Sequence, residues 1–161
     1  MKMISVLSLL LTATAALAVE KGYVSTQDGP AEVYYEMKDG VAIFEGDIEI
    51  EPFETPDEIT IEGAGKWFKR RRWSNRTVPY VVDPNLPNKE RIEWAVKHYA
   101  ENTQIRFVPR TNEKSYVYFK YNGPDGGCNS ALGRRGGKQI IRLPDWCSGP
   151  SVVHEMAHAL G

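Results

Sequence analysis

The chain has 161 residues, 42% hydrophobic and 25% charged, with 20 Lys and Arg against 21 Asp and Glu. This is a globular composition, which excludes a fibrous or wholly disordered chain. A formal charge of −1 gives no global reason to expect nucleic acid as a partner. At the start, Lys2 is followed by an apolar run from Ile4 to Leu17 that closes in Ala16-Leu17-Ala18. A basic start, a short apolar middle and small residues at alternate positions predict a signal peptide over residues 1–18, cleaved near Ala18. Thr12 and Thr14 dilute the run, and it is shorter than the ~20 residues that span a bilayer. The expectation is therefore a secreted, extracellular protein with no membrane partner once the leader is removed.

The next block is acidic. Val19 to Glu62 carries 13 acidic residues against Lys21 and Lys38, a net of −11, whereas Gly63 to Gly161 carries 17 basic against 8 acidic residues, a net of +9. Such a split predicts an acidic pro-segment, residues 19–72 with its boundary somewhere in 63–72, lying across a basic domain over 73–161. A chance split of a solvated surface is the alternative. Within the block, Val33 to Met37 and Val41 to Phe44 are β-rich runs flanking Lys38-Asp39-Gly40, the pattern of a hairpin. Pro52 to Glu58 reads as a loop. The cluster from Lys66 to Trp73 (KWFKRRRW) suits an activating protease of basic specificity, or else forms a solvated basic patch.

From Val78 the pattern is that of a packed domain. Val78 to Val82 predicts a strand, placed at a sheet edge because Pro79 cannot donate to a ladder. Asn88 is positioned to cap a helix whose Ile92, Ala95, Val96 and Tyr99 share one face. Lone His98 on that helix reads as structural. Ile105 to Val108, Tyr116 to Tyr121 and Gln139 to Leu143 are strand-like, with Gly-rich turns at 123–127 and 133–137 around a short segment that begins at Cys128. In an oxidising compartment Cys128 and Cys147 most simply form one disulfide; free thiols or zinc ligands are the alternatives, and neither cysteine has a second at CxxC spacing. Strand, helix, several strands and a final helix make an α+β order.

That final helix carries the chemistry. Pro150 suits its first turn, with Ser148 or Gly149 just before. His154 and His158, at i and i+4, project from one face and can hold one metal through their ring nitrogens. Glu155 is placed to take a proton from a water acidified by Zn²⁺, which completes the HExxH pattern of zinc hydrolases. Val152, Val153, Met156, Ala157, Ala159 and Leu160 make the helix apolar nearly all round, which predicts burial of the two histidines with the carboxylate. Gly161, three residues after the second histidine, can take positive φ and swing the chain off the helix. That geometry suits the HExxHxxGxxH metzincin pattern, whose third ligand is expected near position 164, past the last residue of the sequence. With two histidines alone, zinc is under-coordinated, and this chain is expected to be inactive by itself.

Val152 to Gly161 (VVHEMAHALG), with Gly127-Cys128, Gly136-Gly137-Lys138-Gln139, Trp73 to Tyr80 (WSNRTVPY) and Ile105 to Arg110 (IRFVPR), resembles the astacin family of secreted zinc endopeptidases. The resemblance implies a metzincin-like N-terminal subdomain: a twisted mixed sheet with a backing helix and an active-site helix, one zinc per catalytic domain, and protein or peptide substrates. It implies that Phe44-Glu45-Gly46-Asp47 is an aspartate switch in which Asp47 ligates zinc and blocks the cleft until proteolysis. It also implies a Cys128–Cys147 disulfide, and a cleft-edge strand at Cys128, Asn129 and Ser130 that pairs with an extended peptide. Gln104 stands where the family usually has a cysteine. The reading that follows is a latent zinc metalloendopeptidase precursor; the alternative is a catalytically incomplete fragment, or a secreted binding module that keeps the fold without turnover.

Overall fold

The computed structural model describes residues 18–26, 28–58 and 71–161. Nearly all of the leader expected over 1–18, and the Lys66 to Arg70 part of the basic cluster, lie outside the described residues.

The acidic block forms four strands, β1 (Val19–Thr26), β2 (Gly29–Lys38), β3 (Val41–Phe44) and β4 (Ile48–Ile50), each antiparallel to the one before. Asp39 and Gly40 turn β2 into β3 with φ of 51° and 76°. Those paired left-handed positions are what a tight hairpin turn demands, and Asp-Gly supplies them at low cost. Pro52 to Glu58 is irregular apart from a bridge between Phe53 and Tyr23 and a single 3₁₀ turn at Pro56–Glu58. Gly22 permits that bridge, because a Cβ there would lie 2.8 Å from Pro52 Cβ.

The remaining elements are β5 (Thr77–Val82), α1 (Glu90–Asn102), β6 (Arg106–Pro109), β7 (Tyr116–Lys120), β8 (Asn129–Ala131), β9 (Lys138–Arg142) and α2 (Gly149–Leu160). Among the described residues the nine strands make one mixed sheet, in the order β1-β2-β3-β4-β8-β9-β7-β5-β6. β9, β7, β5 and β6 run parallel, β8 is antiparallel to β9, and β4 joins β8 in parallel. The fold is α+β. Ile92 and Ala95 of α1 and Val152 and Met156 of α2 share one core with Phe119 and Ile141 of the sheet, all at most 1% exposed. Among the described residues no helix is long and apolar enough to cross a membrane.

Two expectations are corrected. β5 is an interior strand, between β7 and β6. Pro79 is tolerated there because β5 pairs with β7 only from Tyr80 onward, so at Pro79 the strand has a paired neighbour on the β6 side alone. Asn88 does not cap α1: the N-cap position is Lys89, without a side-chain bond, while Asn88 sits at φ 51° and donates from Nδ2 to the Asp145 carbonyl.

Two contacts fix the approach to α2. A disulfide joins Cys128, beside β8, to Cys147, with Cα atoms 6.3 Å apart. Arg91, 7% exposed, donates from Nη1 to the Pro144 and Cys147 carbonyls at 2.6 Å each. Burial pulls its pKa down, yet an arginine remains charged. Arg91→Met should strand both carbonyls and lower unfolding free energy by about 3 kcal/mol, read from urea melts. A loss below about 0.5 kcal/mol would mean that these bonds contribute nothing net. Gln104 accepts a hydrogen bond from the Arg76 guanidinium.

Candidate active site

α2 starts with the Ser148 hydroxyl accepting from the Ser151 N–H at 3.3 Å, with Pro150 in the first turn where its missing donor costs nothing. It ends at Gly161, φ 101°, whose N–H reaches the Ala157 and His158 carbonyls at 3.3 and 3.1 Å. This is the left-handed turn expected of that glycine. Between its ends the helix turns Val152, Glu155, Met156 and Ala159 into the core.

The histidines are less buried than their apolar neighbours predict. The His154 side chain is 57% exposed and that of His158 16%, whereas Glu155 is 2% exposed. One residue advances the helix by about 100°, so Glu155 turns inward while His154 and His158 stay on the open face. Their rings cross at 87°, with the two Nε2 atoms 3.0 Å apart.

Asp47 comes to the same point from the far side of the sheet's pairing sequence. Glu45 and Gly46, with φ of 52° and 93°, turn β3 into β4, and the Asp47 carbonyl accepts from the Ser130 N–H at 3.1 Å. Asp47 Oδ2 lies 2.9 Å from His154 Nε2, and Oδ1 lies 3.5 Å from His158 Nε2. One ligand atom from each of Asp47, His154 and His158 falls within a 4.8 Å cluster. A tetrahedral zinc with bonds of about 2.0–2.2 Å sets its ligand atoms about 3.3–3.6 Å apart. Two imidazole nitrogens and a carboxylate oxygen, all converging, fit zinc in donor type; the 3.5 Å separation matches that spacing, and those of 2.9 and 3.0 Å would have to open by a few tenths of an ångström.

Glu155 lies beside this cluster. Its Oε2 is buried with no hydrogen-bond partner among the described residues. Burial first, then the Asp47 and Glu49 carboxylates, push its pKa up to about 8. A bound dication would act in the opposite direction.

Cys128, Asn129 and Ser130, assigned to a cleft edge, lie just before and within β8, where Asn129 and Ser130 are 5% and 0% exposed. The edge of β8 facing away from β9 is occupied by β4. His98 is distant from the cluster in sequence and stacks on Trp94. Sequence reasoning missed Glu49, Glu51, Arg135 and Arg142, which pair across the junction between the acidic strands and the domain. The alternation Ile48-Glu49-Ile50-Glu51 was the available signal for β4.

Residues 66–161 match the family model for Astacin, a family of peptidases. The chain belongs to the astacin family. Zinc metalloproteinase nas-7 of Caenorhabditis elegans is 40% identical to it over 93 residues, covering 55% of this chain and 24% of that protein. Low choriolytic enzyme of Oryzias latipes is 44% identical over 88 residues, covering 52% and 31%. Zinc metalloproteinase nas-14 of Caenorhabditis elegans is 30% identical over 136 residues, covering 81% and 26%, so its likeness reaches into the acidic block. The solved structure of high choriolytic enzyme 1, a hatching enzyme zinc-protease from Oryzias latipes (Medaka fish), has a TM-score of 0.49 and 35% identity, over 56% of this chain and 46% of that one. This astacin-family chain spans between 24% and 31% of the length of these curated relatives.

Proposed function

We propose that the chain is the N-terminal part of a secreted zinc metalloendopeptidase precursor, held latent by Asp47. The observation that carries this reading is the convergence of Asp47 on His154 and His158 beside the buried carboxyl of Glu155. Two relatives named zinc metalloproteinases support both the metal and the reaction.

His154 and His158 would hold the ion through their imidazole nitrogens, and Asp47 would supply an oxygen ligand in the latent form; a further histidine is expected after Gly161. When bound, zinc supplies Lewis acidity to a substrate carbonyl and makes water more acidic. Glu155 Oε2 then takes a proton from the attacking water and delivers one to the leaving amine. The β8 backbone, freed of β4, aligns an extended substrate by strand addition, a mode that reads main chain and tolerates many sequences. Substrates are accordingly proteins or peptides, the acidic segment over 19–72 is the inhibitory partner, and the cluster at Lys66 to Arg72 offers the cut to an activating protease outside the cell.

Metal content tests the base of this reading. The full-length precursor should carry one zinc per chain by elemental analysis, and the His154→Ala, His158→Ala double variant none. A folded precursor without stoichiometric zinc removes the hydrolytic reading altogether.

A further inference from the structure

β4 meets β8 through only two residue pairs, Ile48 with Ser130 and Glu49 with Ala131. A strand contact that short is weak in water without further support. The support comes from two guanidinium groups of the domain. Arg142, opposite Asn129 in the β8–β9 ladder, reaches the Glu49 carboxylate, and the two side chains are 18% and 12% exposed. Arg135, also 18% exposed, donates to the Glu49 carbonyl at 2.9 Å and to the Glu51 carboxylate. Withdrawing Ile48 to Glu51 would leave both cations beside a bared strand edge without these acidic partners. The Arg142–Glu49 pair is the shielded one; Glu51 is 77% exposed, so its pair with Arg135 adds less than the Arg135 bond to the Glu49 carbonyl. None of these contacts depends on the covalent link through 59–70.

We propose that Arg135 and Arg142 form a receptor for two carboxylates of an extended segment, and that it retains the acidic segment after the chain is cut. The occupant is this chain's own Ile48–Glu51, matched by the opposite net charges of the two blocks. The inference rests on the latent-precursor reading and adds that cutting and release are separate steps: proteolysis leaves a noncovalent complex, and activation follows dissociation.

The test uses the full-length precursor with a recognition sequence for a rare-cutting protease inserted between Glu62 and Gly63. After complete cleavage, co-elution on size exclusion and the anisotropy of a labelled segment report retention. At about 0.15 M salt the segment should stay with the domain. Arg135→Gln with Arg142→Gln should raise its Kd at least about tenfold, and so should Glu49→Gln with Glu51→Gln, which leaves the domain untouched. Melting of the uncut variants separates lost binding from lost folding. A wild-type segment that departs on cleavage, or Gln variants on either side that bind as tightly as wild type, overturns the proposal. Because retention is read without turnover, a protein that binds its segment yet hydrolyses nothing would sink the peptidase reading and leave this one standing.

Discussion

An uncut precursor carrying Asp47→Ala should hydrolyse a short quenched-fluorescent peptide at least about tenfold faster than the uncut wild type, the change that ~1.4 kcal/mol of lost autoinhibition produces. The Asp47 oxygens face His154 and His158, the place where, on the proposed latent-precursor reading, a substrate carbonyl and its attacking water would sit. As part of the same chain, this carboxylate competes at the effective concentration of a short tether, which a free peptide at micromolar levels cannot match. Ala removes the ligand but keeps the Glu45-Gly46 turn and the bond from the Ser130 N–H to the residue-47 carbonyl. β4 therefore stays on β8, and the gain should be largest for peptides too short to need the whole strand edge. Asp47→Asn, with the same shape and no charge, should fall between the two. Mass spectrometry must show the chain uncut throughout; inactivity equal to wild type would remove Asp47 from the mechanism of latency.

The parts of this molecule legible in sequence are those set by local rules. The helix over Gly149–Leu160 followed from Pro150, the i, i+4 histidines and Gly161, and the β2–β3 hairpin from Asp39-Gly40. Asp47 drew attention only through likeness to a family, because Phe-Glu-Gly-Asp by itself reads as a turn after a strand. What stayed hidden depends on partners distant along the chain. β4 is three residues long, so its alternation is too brief to tell a strand from a loop; it pairs locally with β3 and, far along the chain, with β8. Pro79 signals an edge strand, but only the offset pairing of β6 and β7 explains how an interior strand accommodates it. Asn88 was a fair cap candidate until the Asp145 carbonyl claimed its amide. The apolar count of α2 suggested burial all round, whereas the helix leaves His154 and Ala157 exposed. Charge by block pointed to an acidic segment lying against a basic domain, yet could not single out Glu49 with Arg142 or Glu51 with Arg135 from the other acidic and basic residues.

In the activated full-length protein, Glu155→Gln should lower kcat by about 10²–10⁴-fold, the usual worth of a positioned proton-transfer group, while leaving zinc content near one per chain. The two readouts together matter because Glu155 sits between the proposed ligands His154 and His158 along α2, with its side chain buried beside the cluster. Gln fills the same buried volume and keeps the helix packed, so a fall in turnover with metal retained isolates proton transfer from metal binding. His154→Ala should instead lose both together. The split between kcat and KM adds a further constraint: a group that acts only on the proton in flight changes kcat and leaves peptide affinity nearly as it was. Should Glu155→Gln turn over peptides at the wild-type rate with zinc in place, the proton must pass through some other group, and the burial of Glu155 would be a matter of packing alone.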